Sequence, residues 1–206
     1  MVETIRTRDY IAGWADSPFG GLEVPPWRIT TNAVEILRAV MARLGDDYRA
    51  VGEALVHRSA EVETGAQIKG PAVIGPDCFV SGSALVRGGV YLAEGCIIGP
   101  GVELKTSFLF RRSKIAHLSF VGDSLIGEDV NIEAGAMLAN YRNELTDKQI
   151  RLQAGGVVIE TGVEKFGALV GDHSRIGANA VLAPGTVLSR GARVGRLELV
   201  DQRPTD

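Results

Sequence analysis

Three basic residues, Lys69, Arg87 and Lys105, recur at intervals of eighteen, and a histidine, His117, follows the last of them by twelve. Brought together, a guanidinium and an ammonium can hold a phosphate through charge-assisted hydrogen bonds. An imidazole with a pKa near 6.5 can take a proton from an ammonium group at neutral pH without a large environmental shift. Asn131 and the pair Asn140-Tyr141 follow within the same stretch, Ile98 to Tyr141. These residue types suit proton abstraction on an anionic small molecule, provided a scaffold brings positions eighteen apart into contact.

The apolar residues supply that scaffold. Val56, Val62, Ile68, Ile74, Val80, Val86, Leu92, Ile98, Leu104 and Phe110 fall six apart, with Ala60, Ala66, Ala72, Cys78, Ala84, Val90, Cys96 and Val102 in a small-residue slot four positions later. The beat resumes as Phe120, Ile126, Ile132 and Leu138, then as Val170, Ile176, Leu182, Leu188 and Val194. A hexad is a short strand plus a tight turn that cannot bury its apolar face alone, so hexads must stack into a solenoid. With three hexads per coil, residues eighteen apart become neighbours at about 4.8 Å, the spacing of adjacent strands. Lys69, Arg87 and Lys105 are then one file of stacked cations, which repel by up to a few kcal/mol where water is partly excluded. A bound phosphate relieves that repulsion; a solvated stripe of splayed side chains is the competing reading and suits Lys69 best. The beat changes phase between Phe110 and Phe120, where His117 sits.

This periodicity resembles the hexapeptide-repeat family, which implies an all-β solenoid, the left-handed parallel β-helix; the handedness comes from the resemblance alone. Around the phase change, Ser113-Lys114-Ile115-Ala116-His117-Leu118-Ser119-Phe120-Val121-Gly122-Asp123 is followed by Ile126-Gly127-Glu128-Asp129-Val130-Asn131-Ile132-Glu133-Ala134-Gly135 and then Asn140-Tyr141. Here the chain resembles the acetyltransferase half of bifunctional N-acetylglucosamine-1-phosphate uridyltransferase/glucosamine-1-phosphate acetyltransferases. It is also similar to the carboxy-terminal domains of archaeal sugar-1-phosphate nucleotidylyltransferases, through Lys165 to His173.

The resemblance implies acetyl transfer from acetyl-CoA, as co-substrate, to the amine of an amino-sugar 1-phosphate or related nucleotide sugar, in a homotrimer. It makes His117 the catalytic base. Arg87 and Lys105 become the phosphate clamp, Asn131 and Phe120 sugar contacts, and Ala134, Asn140 and Tyr141 the acetyl-CoA neighbourhood. Direct transfer is expected, because Cys78 and Cys96 occupy interior slots and offer no nucleophile. The sequence departs from the motif at Phe120 (usually Tyr), at Glu133 (usually Gly) and at Arg142-Asn143 (usually Asp-Gly). The usual loop lysine has no clean counterpart, Lys148 being nearest. A non-catalytic sugar-phosphate-binding or assembly protein on the same scaffold is the alternative. O-acetylation of a neutral sugar is disfavoured by Arg87 and Lys105. Arg190, Arg193 and Arg196 suit either a coenzyme A phosphate or a solvated rim. No metal is required, and His57, His117 and His173 lack the spacing of a three-histidine zinc site.

The 206 residues divide into a helical amino-terminal cap, 1–55, and a β-helix domain, 56–200, with an excursion over about 141–162. Apolar residues make up 45 % and aromatics 6 %, with 26 glycines, a balance suited to small and β-branched packing. A net charge of -3 gives no reason to expect nucleic acid or a membrane surface. The amino terminus lacks the pattern of a signal peptide, so a cytoplasmic protein is expected. No uridyltransferase glycine-rich loop is present in 1–55, and nucleotidyltransferase activity is expected to be absent. Asn32 followed by Glu35 marks a helix start, with Val34, Leu37, Val40, Met41 and Leu44 on its apolar face and Gly45 as its C-cap. Asp46 to Leu55 suggests a second short helix, and the segment is expected to pack over the open first coil. Trp14 and Trp27 are read as core or interface anchors. Cys78 and Cys96 stack on adjacent coils, as two buried thiols in a reducing compartment or as a disulfide.

Overall fold

The computed structural model describes residues 5–154 and 156–204. It is a left-handed parallel β-helix whose three faces hold eight, seven and seven strands. The chain visits the faces in rotation: Ala54–His57 on the first, Glu61–Val62 on the second and Gln67–Lys69 on the third, then Ala72–Ile74 on the first again. Pairing between coils is parallel throughout. Apolar residues point inward from all three faces, Val56, Ile74, Val86, Leu104, Ile132 and Leu182 among them, and together they fill the prism as one fully buried column. At about 25 cal/mol per Å² of apolar surface buried, this column is the main stabilising term.

The phase change is not at His117. Lys105 is paired with Arg87 eighteen residues before it, but with Gly122 only seventeen after it. The inward series runs Leu104, Leu109, Ile115, Val121, Ile126, so two steps, Leu104 to Leu109 and Val121 to Ile126, are five residues long. Both turn the corner from the third face to the first. Phe110 and Phe120, expected in the beat, therefore point outward, and Leu109 and Val121 take their places. Buried serines close the two short corners. Ser107 Oγ donates to the Lys105 carbonyl at 2.9 Å and Ser124 Oγ to the Gly122 carbonyl at 2.7 Å. Ser107 Oγ also accepts from the Ser124 amide at 3.2 Å, which ties the two coils together.

The amino-terminal segment carries three α-helices, α1 (Thr7–Tyr10), α2 (Pro26–Thr31) and α3 (Ala33–Met41). They lie along the first face instead of over the open coil. The outward residues of that face, Val73, Phe108, Leu125 and Leu169, form a second core with Trp14, Phe19, Trp27, Ile29 and Leu37. Phe110 joins it, its ring tilted at 44° to that of Trp14 with 5.7 Å between centroids. A face buried on both sides explains why Phe108-Leu109-Phe110 is apolar without alternation. The strap is fastened by Asp172, whose carboxylate accepts the Ala12 amide at 2.8 Å, and by Arg190, which donates to the Tyr10 and Arg8 carbonyls.

Helix α3 follows Asn32, but the Asn32 side chain donates back to the Arg28 carbonyl and does not cap. Its buried face is Ala33, Leu37 and Val40, while Val34 is 38 % exposed. The helix ends at Met41, before Gly45. Asp46 to Leu55 holds no helix: Tyr48–Val51 pairs antiparallel with Ala54–His57 and covers the open edge of the first face. Cys78 and Cys96 are free and buried, and the hydrogen bond with Cys78, together with burial, keeps the Cys96 thiol well above its ordinary range.

The excursion contains a two-stranded hairpin, Arg151–Ala154 with Val157–Glu160. The chain rejoins the first face at Gly167, which passes so close to the Gly122 carbonyl and Ser124 Oγ that a Cβ would collide with both.

Candidate functional site

The third face carries the file expected from the spacing: Lys69, Arg87 and Lys105 are register partners on three successive coils. The cations are not left to repel one another. Arg87 Nε donates to Glu103 Oε1 at 2.8 Å, and Lys105 Nζ lies 2.6 Å from Asp123 Oδ2. Asp123 also accepts from the Asn140 side-chain amide, so Lys105, Asp123 and Asn140 form one cluster at the short corner. Asp123 adopts a left-handed backbone, φ 45°, at this corner. Glu103 is the residue that reading the spacing missed. It lies two positions before Lys105 on one strand, so both project to the same side, and that alternation was available from the sequence.

His117 stands at the other end of the same face. It occupies the corner between Lys114–Ile115 on the second face and Phe120–Gly122 on the third, and it is exposed. Its carbonyl accepts the Gly135 amide at 2.8 Å, which locks the corner and leaves the imidazole outside the prism. Five residues separate His117 from Gly122, the register partner of Lys105, at most about 17 Å of extended chain. Phe120, half-buried, lies between the two ends opposite Glu103 and packs near Gly122 and Asn140.

Asn131 is on the second face, in register with Lys114 and Arg175. It lines a groove of about 310 Å³ with Glu133, Arg175, Arg193 and Arg196. Ala134 is in the corner above His117, its carbonyl accepting the Asn179 amide. Glu133 accepts from Arg196 at 2.9 Å and from the Ala178 amide, and the Arg196 hydrogen bond holds its carboxyl below the ordinary value. Arg193 donates to main-chain carbonyls, among them that of His173 at 2.9 Å. His173 is an exposed corner residue beside Asp129.

The altered loop has its own logic. Arg142, almost fully buried, makes a bidentate pair with Asp201 at 2.7 and 2.9 Å and donates to the Pro184 carbonyl. That pairing raises the Arg142 pKa and lowers that of Asp201. Lys148 Nζ sits 5.3 Å from the Tyr141 ring centroid and donates to the Asn143 carbonyl. The excursion therefore leaves the prism beside Asn140 and is pinned to the last coil.

Residues 69–164 match the GMPPB C-terminal domain family. Over 92 % of its length the chain is 32 % identical to a bifunctional sugar-1-phosphate nucleotidylyltransferase/acetyltransferase of Sulfurisphaera tokodaii, covering 47 % of that protein. It is 29 % identical to the bifunctional protein GlmU of Methanococcus vannielii, over 86 % of this chain and 43 % of that one. This chain is thus similar, over most of its own length, to part of those bifunctional enzymes. It spans less than half the length of these curated relatives. AntD, an N-acyltransferase from Bacillus cereus solved in complex with dTDP and coenzyme A, overlaps 74 % of this chain and 72 % of its own at 16 % identity and a TM-score of 0.35. Among the described residues, no helix is long and apolar enough to cross a membrane.

Proposed function

We propose that this hexapeptide-repeat chain is an acyl-CoA-dependent acyltransferase that acetylates the amine of a phosphorylated amino sugar. The observation that carries the reading is the layout of one face, with two stacked cations at one end and an exposed imidazole at the other. His117 lies within the motif by which the chain resembles the acetyltransferases, and the same resemblance gives Arg87 and Lys105 the place of the phosphate clamp. The sugar phosphate is held by Arg87 and Lys105, which exchange part of their bonding to Glu103 and Asp123 for the phosphate oxygens. His117 takes the proton from the ammonium, and the free amine attacks the thioester carbonyl of acetyl-CoA. The amide C–N bond forms as the C–S bond breaks, and CoA leaves as the thiol after taking up a proton. Asn131 and Phe120 contact the sugar, while Ala134, Asn140 and Tyr141 border acetyl-CoA.

A homotrimer completes this site. Phe120, Met137, Val181 and Leu199 are in register on four successive coils of the third face. Met137, Val181 and Leu199 are exposed, as are Leu118 and Leu197 on the adjoining corner. That apolar column beside His117 suits burial against a second copy, whose own groove residues would then face the imidazole. The two free thiols fit a cytoplasmic setting. Metal-free transfer and loss of nucleotidyltransferase activity belong to the same proposal.

The test is acceptor kinetics. Arg87→Ala and Lys105→Ala are expected to raise KM for glucosamine 1-phosphate tenfold or more while KM for acetyl-CoA stays within about twofold. Equal losses on a neutral amino sugar would remove the phosphate-clamp role. A second reading, sugar-phosphate binding without turnover, is favoured by one departure from the motif: Glu133, where glycine is usual, is tied to Arg196 and the Ala178 amide in the groove lined by Asn131. It predicts saturable binding with no CoA release.

A further inference from the structure

Beyond the Lys105–Asp123 corner the face opens into a cleft of about 490 Å³ between α2 and α3, the corner residues Gly88, Thr106 and Asp123, and the returning segment 162–165. Its size is that of a small-molecule site. Two cations line it, Arg28 and Lys165, and among the described residues no carboxylate pairs with either. One carboxylate, Glu164, also lines it. Asp123 is already matched by Lys105 and Asn140, so the remaining charges are two positive and one negative. Val34 is half-exposed at this cleft, off the buried stripe of its own helix.

Gly88 and Thr106, the residues directly after Arg87 and Lys105, line the cleft, so it adjoins the cation pair at the corner. His117 stands at one end of the third face, Arg87 and Lys105 at the other, and the cleft continues past them on the far side of the corner. A ligand whose amino sugar faces His117 and whose first phosphate meets Arg87 and Lys105 extends directly toward Arg28 and Lys165. We infer that the cleft receives the rest of a nucleoside diphosphate, making the acceptor a nucleotide-linked amino sugar. Arg28 and Lys165 take the second phosphate through charge-assisted hydrogen bonds. Glu164 accepts from a ribose hydroxyl, as acidic residues do in dinucleotide sites, and Val34 gives the base an apolar edge. Pyrophosphate alone would meet Glu164 without compensation, which favours a nucleoside over a bare polyanion.

This inference rests on the placement of the acceptor proposed above, and the experiment separates the two. Calorimetric titration of the intact chain with UDP, dTDP, GDP and ADP, and with glucosamine 1-phosphate and pyrophosphate, tests the cleft without turnover. At least one nucleoside diphosphate is expected to bind tenfold or more tightly than pyrophosphate. Arg28→Ala/Lys165→Ala should weaken that binding tenfold or more and leave glucosamine 1-phosphate binding within twofold. Both side chains are exposed, and an unchanged melting temperature verifies that the variant folds. Lys165→Glu alone should give a loss of the same sign. No binding of any nucleoside diphosphate, or binding indifferent to these substitutions, overturns the inference. Nucleotide binding that depends on Arg28 and Lys165 in a protein that never releases CoA would uphold the cleft and defeat only the transferase reading.

Discussion

Lys105 Nζ and Asp123 Oδ2 meet at 2.6 Å across two coils, at the corner where the repeat shortens from six residues to five. The pair is largely shielded, with Asp123 at 8 % and Lys105 at 19 % side-chain exposure. The short step makes Gly122 the register partner of Lys105 and leaves Asp123 on the corner itself, from where its carboxylate reaches the ammonium, while buried serines bond the Lys105 and Gly122 carbonyls.

Asp123→Asn keeps the shape of the corner but leaves the ammonium without its counter-charge. A hydrogen bond to a charged group is worth about 1.5–3 kcal/mol, and a shielded charge stripped of its partner costs at least that. Urea unfolding should show a loss of about 2 kcal/mol with an unchanged m-value. An unaltered midpoint would mean that Lys105 is solvated and indifferent to Asp123.

The Arg142–Asp201 pair sets an acid limit on the last coil. The Arg142 hydrogen bond holds the Asp201 carboxyl below its ordinary 3.8. A depressed carboxylate contributes stability that is fully present above its unfolded value and disappears as pH falls through the folded one. The tether should therefore hold at neutral pH and release below about pH 3.8. Asp201→Asn should lose this component at pH 7 and flatten the acid limb of the melting profile below pH 3.8. Arg142→Ala should expose 141–162 to limited proteolysis at neutral pH; an equal cleavage rate would show that the excursion is anchored elsewhere.

At Gly167 the constraint is space. A methyl group there runs into the Gly122 carbonyl and Ser124 Oγ, and backbone cannot yield as a flexible side chain can. Gly167→Ala should cost roughly 1–3 kcal/mol, the range for overpacking. Gly21→Ala, where no atom lies near the added carbon, serves as the control and should change stability by less than about 0.5 kcal/mol.

The coil rule was legible because a period of six fixes which residues stack, and the Lys69–Arg87–Lys105 file follows from it. The phase of the beat past Leu104 was not. In Phe108-Leu109-Phe110 every residue is apolar, since the prism buries Leu109 while the strap buries both phenylalanines. Periodicity cannot choose among three apolar neighbours when both sides of a strand are covered. Nor does a strap announce its route: Asn32 and Glu35 mark a helix start, but which face receives α3 depends on long-range contacts with Val73, Phe108 and Leu125. Val34 was misplaced for the same reason, since helical spacing gives a stripe without its edges. At the candidate site, spacing puts Lys105 beside Arg87 as the structure has them and strand alternation puts Glu103 on their side, whereas Asn140, which joins Asp123 from a coil of seventeen residues, is reached only in the folded chain.

The central claim is that His117 serves as the base for acyl transfer. The most direct measurement is CoA release from acetyl-CoA in the presence of glucosamine 1-phosphate or a nucleotide-linked amino sugar, comparing the unaltered chain with His117→Ala. Because the imidazole is exposed, the substitution should leave the melting temperature within about 1 °C while lowering kcat by about 10²-fold or more. Equal turnover by the two proteins, or no CoA release by the unaltered chain with either acceptor, would contradict it.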